Sequence, residues 1–203
     1  MRNGFLYITI KFILDNFRHL TLVEWFKKIG YKILCNNPND PNEQADYRSN
    51  IVDFFNVIKW SIIICLLCFS WTNCFLTFLV WYLLVTNVYS YFYHHIWSDD
   101  AYNAVNLGAD RARRRFMLLM LSVAYSDFCF AYLYYLPYNS SFTWTNGASF
   151  TKAIWFSVSN SLAANYSVVT ILSDIGNTIA MVQLILTFIF VTIIISRSIP
   201  QGD

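Results

Sequence analysis

Formal charge is all but missing from three long stretches of this chain. No Asp, Glu, Lys or Arg occurs in the 33 residues from Ser61 to Tyr93. Asp127 alone interrupts the run from Phe116 to Thr151, and none occurs from Ile175 to Ser196. A run of about 18 or more apolar residues reads as a membrane span, because one helix of about 20 residues covers the hydrocarbon thickness of about 30 Å. Composition agrees: 57% of residues are hydrophobic and 13% charged, against about a quarter charged in soluble domains. With 203 residues, the chain has room for one membrane domain and an N-terminal appendage, not for a large soluble enzyme domain. The five cysteines, Cys35, Cys65, Cys68, Cys74 and Cys129, are odd in number and lack framework spacing, which argues against a secreted disulfide scaffold. Cys65 and Cys68 lie inside an apolar run and read as small buried hydrophobes. Phe5–Leu14 is too short to span and no small-residue cleavage site follows, so no cleavable signal is expected.

Residues 1–50 read as a cytoplasmic or interfacial helical segment and linker. Phe5, Ile8, Phe12 and Ile13 recur at helical spacing, and Leu22–Leu34 sets Trp25, Phe26 and Ile29 against Lys27, Lys28 and Lys32. That pattern suits a helix lying in the membrane interface, with a small cytosolic helical pair as the plainer alternative. Cys35–Arg48, rich in Asn and Pro, reads as the linker. Residues 51–97 are expected to form an accessory hairpin, with spans at about 54–70 and 75–96 broken at Ser70-Trp71-Thr72-Asn73. One long tilted helix is the alternative. Residues 98–115 read as a basic cytoplasmic loop. A third span is expected at 116–137, a polar loop at 139–149, and a fourth span at 176–197. Eight Lys/Arg fall in the first 60 residues and four in 98–115. Positive charge favours the cytoplasmic side, and four spans with both termini in the cytoplasm satisfy this for every Lys/Arg but Lys152. The expected fold class is therefore an all-α membrane protein with four transmembrane helices.

Between the third and fourth spans lies an amphipathic piece, Thr151–Ala164, too short to cross. Its second half is polar, with Ser157, Ser159, Asn160 and Ser161, and Asn165, Tyr166 and Ser167 extend that character beyond it. Non-helical backbone survives at membrane depth only where protein or a water-filled cavity satisfies it. A short helix, a polar loop and a long apolar helix are thus the pattern of a re-entrant loop.

The segment Lys152-Ala-Ile-Trp-Phe-Ser-Val158 resembles the pore-helix opening of two-span potassium channels, where W-F-S-V-x-T-x-T-T-V-G-Y-G-D leads to D-L-G and the inner helix. Laid without gaps, Asp174-Ile175-Gly176 falls on D-L-G, and Ile179-Ala180-Met181-Val182 and Ile194-Ile195-Ser196-Arg197 fall in family-like places. The resemblance implies a re-entrant pore helix and loop between the third and fourth spans, residues 116–203 as a pore-like domain, and a four-fold assembly of the pore-loop cation channel superfamily. The filter departs from the family. T-V-G-Y-G falls on Ala163-Ala164-Asn165-Tyr166-Ser167, so both glycines and the threonine are lost. Potassium channels aim backbone carbonyls at the ion, in conformations for which glycine is suited. A potassium-selective filter is therefore not expected. A wider, side-chain-lined opening is, with a collapsed, non-conducting loop as its rival.

On the inner helix the family's hinge glycine falls on Thr187 and a frequent glutamate on Gln183. With Asn177, Ala180, Val191 and Ile194 these make a stripe that either lines a pore or hydrogen-bonds neighbouring helices. Asp127 falls near the bilayer midplane, where an ionisable residue is a functional candidate; a tie to Asn87, Asn160 or a tyrosine is the structural alternative. Arg111, Arg113, Arg114 and Arg115 suit anionic head groups or simply fix topology. His94 and His95 stand where the second span ends and, with no further ligand at metal spacing, read as interfacial residues. No nucleotide-binding, zinc-protease or nucleophile-elbow motif occurs; no enzyme activity, metal, cofactor or nucleic-acid partner is expected. The partners expected are membrane lipids, further copies in a homotetramer, and monovalent cations. The expected function is a channel of non-potassium or unusual selectivity, or else a non-conducting scaffold or signalling subunit that keeps the channel fold. Residue usage rich in Asn, Ile, Phe, Tyr and Lys, without organelle targeting, points to a bacterial inner membrane.

Overall fold

A computed structural model describes residues 4–19, 21–34, 41–93, 97 and 109–198. His94, His95 and Cys35 lie outside them. Among the described residues, four helices are long and apolar enough to cross a membrane, at Asn50–Cys68, Cys74–Phe92, Phe116–Tyr135 and Asp174–Ile194. This is the pattern of a multi-pass membrane protein. The chain divides into two compact units, Met1–Ile62 and Ile63–Asp203.

The first unit holds α1 (Phe5–Arg18), α2 (Leu22–Leu34) and the start of α3 (Pro41–Cys68). Trp25 Nε1 donates to His19 O at 3.0 Å and pins the α1–α2 turn. Helix α2 packs on α3 through Phe26 and Phe55, whose ring centroids stand 5.2 Å apart. The linker expected up to Arg48 is shorter than that, because α3 begins at Pro41. Proline suits the first helical position, where its missing N–H has no partner to lose.

In the second unit α3 ends and α4 (Cys74–Phe92) begins across a five-residue break. Ser70 turns the chain with φ 49°, and Asn73 Oδ1 accepts from Leu76 N at 2.7 Å to cap α4. Cys65 and Cys68, expected to be buried, are exposed on α3; in lipid an outward position is as apolar as the core, so a thiol faces no water there. Helix α5 (Ala109–Tyr135) starts before the span, so Arg111–Arg115 are helical rather than loop. Arginine is a good helix former, and nothing in the sequence stops the helix at the membrane boundary.

A 3-10 turn at Asn139–Ser141 leads into strand β1 (Phe142–Trp144). Helix α6 (Phe150–Ser161), strand β2 (Val169–Ile171) and helix α7 (Asp174–Ser198) complete the chain. The strands pair antiparallel, Phe142 with Ile171 and Trp144 with Val169. This ribbon is an addition to the all-helical expectation. Its six residues are all β-branched or aromatic, but each strand is too short to signal itself.

The core has two ends. Val88, Leu119, Phe190 and Ile193 join α4, α5 and α7 at one end. At the other, Tyr134, Phe142, Trp144 and Phe156 form a cluster of tilted and edge-to-face rings with centroids 4.9–6.3 Å apart, an arrangement aromatic quadrupoles favour.

Candidate functional site

Helix α6 has 12 residues, about 18 Å at 1.5 Å per residue, and so is too short to cross. Ser149 caps it, accepting from Lys152 N at 3.3 Å. It packs chiefly on α5 and then on α7. Three polar residues of α6 and α7 carry that contact: Ser157, Asn160 and Gln183.

Gln183 is 1% exposed and joins all three helices. Its Nε2 donates to Asp127 Oδ1 of α5 at 3.1 Å, and to Ser157 O and Oγ of α6 at 2.9 and 2.8 Å. Its Oε1 accepts from Tyr134 Oη of α5 at 2.7 Å and from Asn160 Nδ2 of α6 at 2.9 Å. Ser157 Oγ donates to the backbone carbonyl of Asp127 at 2.8 Å, and Asn160 Nδ2 reaches Ala180 O of α7 at 3.0 Å. Buried polar groups must find partners, and here they find one another on three helices.

The expected partners of Asp127 are thereby revised. Gln183 bonds it directly, and Asn160 and Tyr134 join through Gln183. Asn87 belongs to a separate contact, donating to Ser122 Oγ at 2.8 Å and Ser126 Oγ at 3.3 Å between α4 and α5. No sequence pattern marks the pairing of Gln183 with Ser157 and Asp127, because the three lie on separate helices.

The stripe expected along α7 separates in the same way. Gln183 is turned into the packed interior of the chain rather than toward an open face. Thr187 and Ile194 are half-buried, Ile194 against the α4–α5–α7 cluster, while Val191 is exposed. At about 100° per residue each four-residue step drifts by about 40°, so Val191 has turned about 80° from Gln183. Of the stripe, Asn177 and Val191 are exposed and Ala180 is buried, and Thr178, Met181, Ile185, Phe188 and Thr192 share the open side of α7.

Past α6 the backbone is irregular from Leu162 to Val168. Ala163 N bonds Asn160 O at 2.9 Å and Ala164 N bonds Ser159 O at 2.7 Å, closing the helix. Ala163, Ala164, Asn165 and Ser167 are exposed, and Tyr166 is half-buried. Within this loop only Ala163 has positive φ, at 54°; Asn165 and Ser167, where the resembling family has glycine, do not. The loop's ends are fixed. Thr145 N donates to Val168 O at 2.9 Å beside the ribbon, and Lys152 Nζ reaches Thr145 O, Asn146 O and Gly147 O at 2.6, 3.2 and 2.8 Å.

Of the arginines, Arg113 is exposed and Arg114 half-buried; the side chains of Arg111 and Arg115 lie outside the described residues. No group of three or more His, Cys, Asp or Glu is placed to hold a metal ion among the described residues. Comparison with protein-family models, with characterised proteins and with solved structures gives no match to the chain.

Proposed function

We propose that four copies of this chain enclose a cation pore in a membrane, with α6 as pore helix, Leu162–Val168 as the lining of the outer constriction and α7 as inner helix. The observation that carries this is a contrast. A helix too short to cross is clamped between two candidate spanning helices by a buried network, yet Ala163, Ala164, Asn165 and Ser167 at its end are exposed among the described residues. One subunit cannot enclose a pore with one such loop; a ring of them can. The loop follows the C-terminal end of α6, where the helix dipole places about half a negative charge, which favours cations. The absence of positive φ at Asn165 and Ser167 argues against a stack of carbonyls of the potassium type, so selectivity falls to the side chains of Asn165, Tyr166 and Ser167.

The same glycine-free loop favours a second reading, a non-conducting scaffold that keeps the arrangement of helices. Native mass spectrometry of the reconstituted chain and planar-bilayer recording separate the readings. The channel reading expects tetramers and a cation current that Asn165→Asp enlarges. Tetramers silent across varied salts favour the scaffold, and a monomer without current removes the pore altogether.

A further inference from the structure

The first unit carries a surface that a pore does not use. Every residue of α1 from Phe5 to Ile13 is exposed, including Phe5 at 80% and Phe12 at 69%. Trp25 at 60% and Ile29 add to it from α2. Exposed hydrophobes are ordinary when scattered singly; a contiguous run marks a surface that meets something apolar.

The unit also fixes the depth of α2. A Cβ at Gly30 would come within 2.6 Å of Ile51 Cδ1, so α2 lies directly on α3 there, and Phe26 meets Phe55 one turn away. Ile51 and Phe55 belong to the first two turns of the span that starts at Asn50. Helix α2 is therefore fastened where α3 enters the apolar layer. Trp25 and Ile29 each precede a contact residue by one position, about 100° around the helix, and so form an open apolar strip beside α3 at that depth. Tryptophan is enriched at this level of a bilayer. Residues 5–34 hold five basic residues, Lys11, Arg18, Lys27, Lys28 and Lys32, against Asp15 and Glu24, a net charge of +3.

We propose that α1 and α2 form a lipid-binding surface that takes anionic head groups, with their apolar residues lodged at the head-group and acyl boundary. Helix α1, exposed all round from Phe5 to Ile13, inserts; α2, anchored on α3, sets its level; the basic residues select an acidic leaflet. This does not depend on the pore reading, since it concerns the first unit alone.

The test uses the full chain in nanodiscs of phosphatidylglycerol or phosphatidylcholine. An environment-sensitive dye is attached at Phe12→Cys, with the five native cysteines replaced by alanine. The expected result is blue-shifted emission quenched by shallowly brominated lipid. The ratio of inserted to released α1 should fall about fivefold for each of Lys11→Gln and Arg18→Gln at low salt. Amide exchange of the unaltered chain guards against a misfolded variant: residues 5–18 should exchange at least about fivefold more slowly in the anionic discs. Water-like emission with equal exchange in both lipids overturns the proposal. So does blue-shifted emission that brominated lipid leaves unquenched and that vanishes at one chain per disc, which would assign the surface to a second copy.

Discussion

Replacing Gln183 by leucine removes a five-contact amide with little change of volume. The Nε2 group has two hydrogens for three acceptors, so it makes about two bonds at once, while Oε1 accepts both of its own. About four interhelical bonds are lost. Side-chain hydrogen bonds between membrane helices average about 0.6 kcal/mol and reach about 1.7. The expected loss is thus about 2–3 kcal/mol, larger if Asp127 and Asn160 find no water to replace the amide. The assay is unfolding of the full chain in mixed micelles by rising dodecyl sulfate, followed by near-ultraviolet circular dichroism. A double-mutant cycle with Asp127→Leu should return a coupling of about 0.6–1.7 kcal/mol. A Gln183→Leu chain within about 0.5 kcal/mol of the parent, or a cycle that adds without coupling, would refute the view that this amide ties α5, α6 and α7 together.

Two further outcomes each rest on one residue. Gly176→Val should destabilise by about 1–3 kcal/mol in the same assay, because even a Cβ at that position meets Ser141 O at 2.9 Å and Ile171 Cγ2 at 3.0 Å; an unchanged midpoint would mean that the Asn139–Ser141 turn yields freely. Lys152→Met strips three carbonyls of their shared donor. Water can replace it at this partly exposed site, so the cost should be about 1 kcal/mol, with faster amide exchange confined to residues 145–150; unchanged exchange there would show that the turn holds itself.

The four spans were legible because hydrocarbon excludes charge, and charge is visible in a sequence. Their ends were less so. Pro41 and Arg111–Arg115 lie in helices that begin outside the apolar run, and hydropathy has no term for a polar turn continuing an apolar helix. Asp127 stood out as an intramembrane acid, but its partner did not. Gln183 lies 56 residues away, and a long-range side-chain bond leaves no periodic trace. The i, i+4 spacing of Gln183, Thr187 and Val191 suggested one shared face; helical drift and three-helix packing divided it. The ribbon escaped notice because its pairing joins Trp144 to Val169 across a helix, and neither half is long enough to show an alternating pattern.

That ribbon has a consequence for how the molecule can change. Residues 145–168, which include α6 and the whole irregular loop, leave and return through one pair of hydrogen-bonded strands. Across such a pair the chain ends stand only about 5 Å apart. The entropy of closing the excursion is therefore met at its neck, and altering its length changes that term only slowly. The segment is a cassette: its loop can be lengthened, shortened or exchanged while β1, β2 and the helix beyond them keep their places.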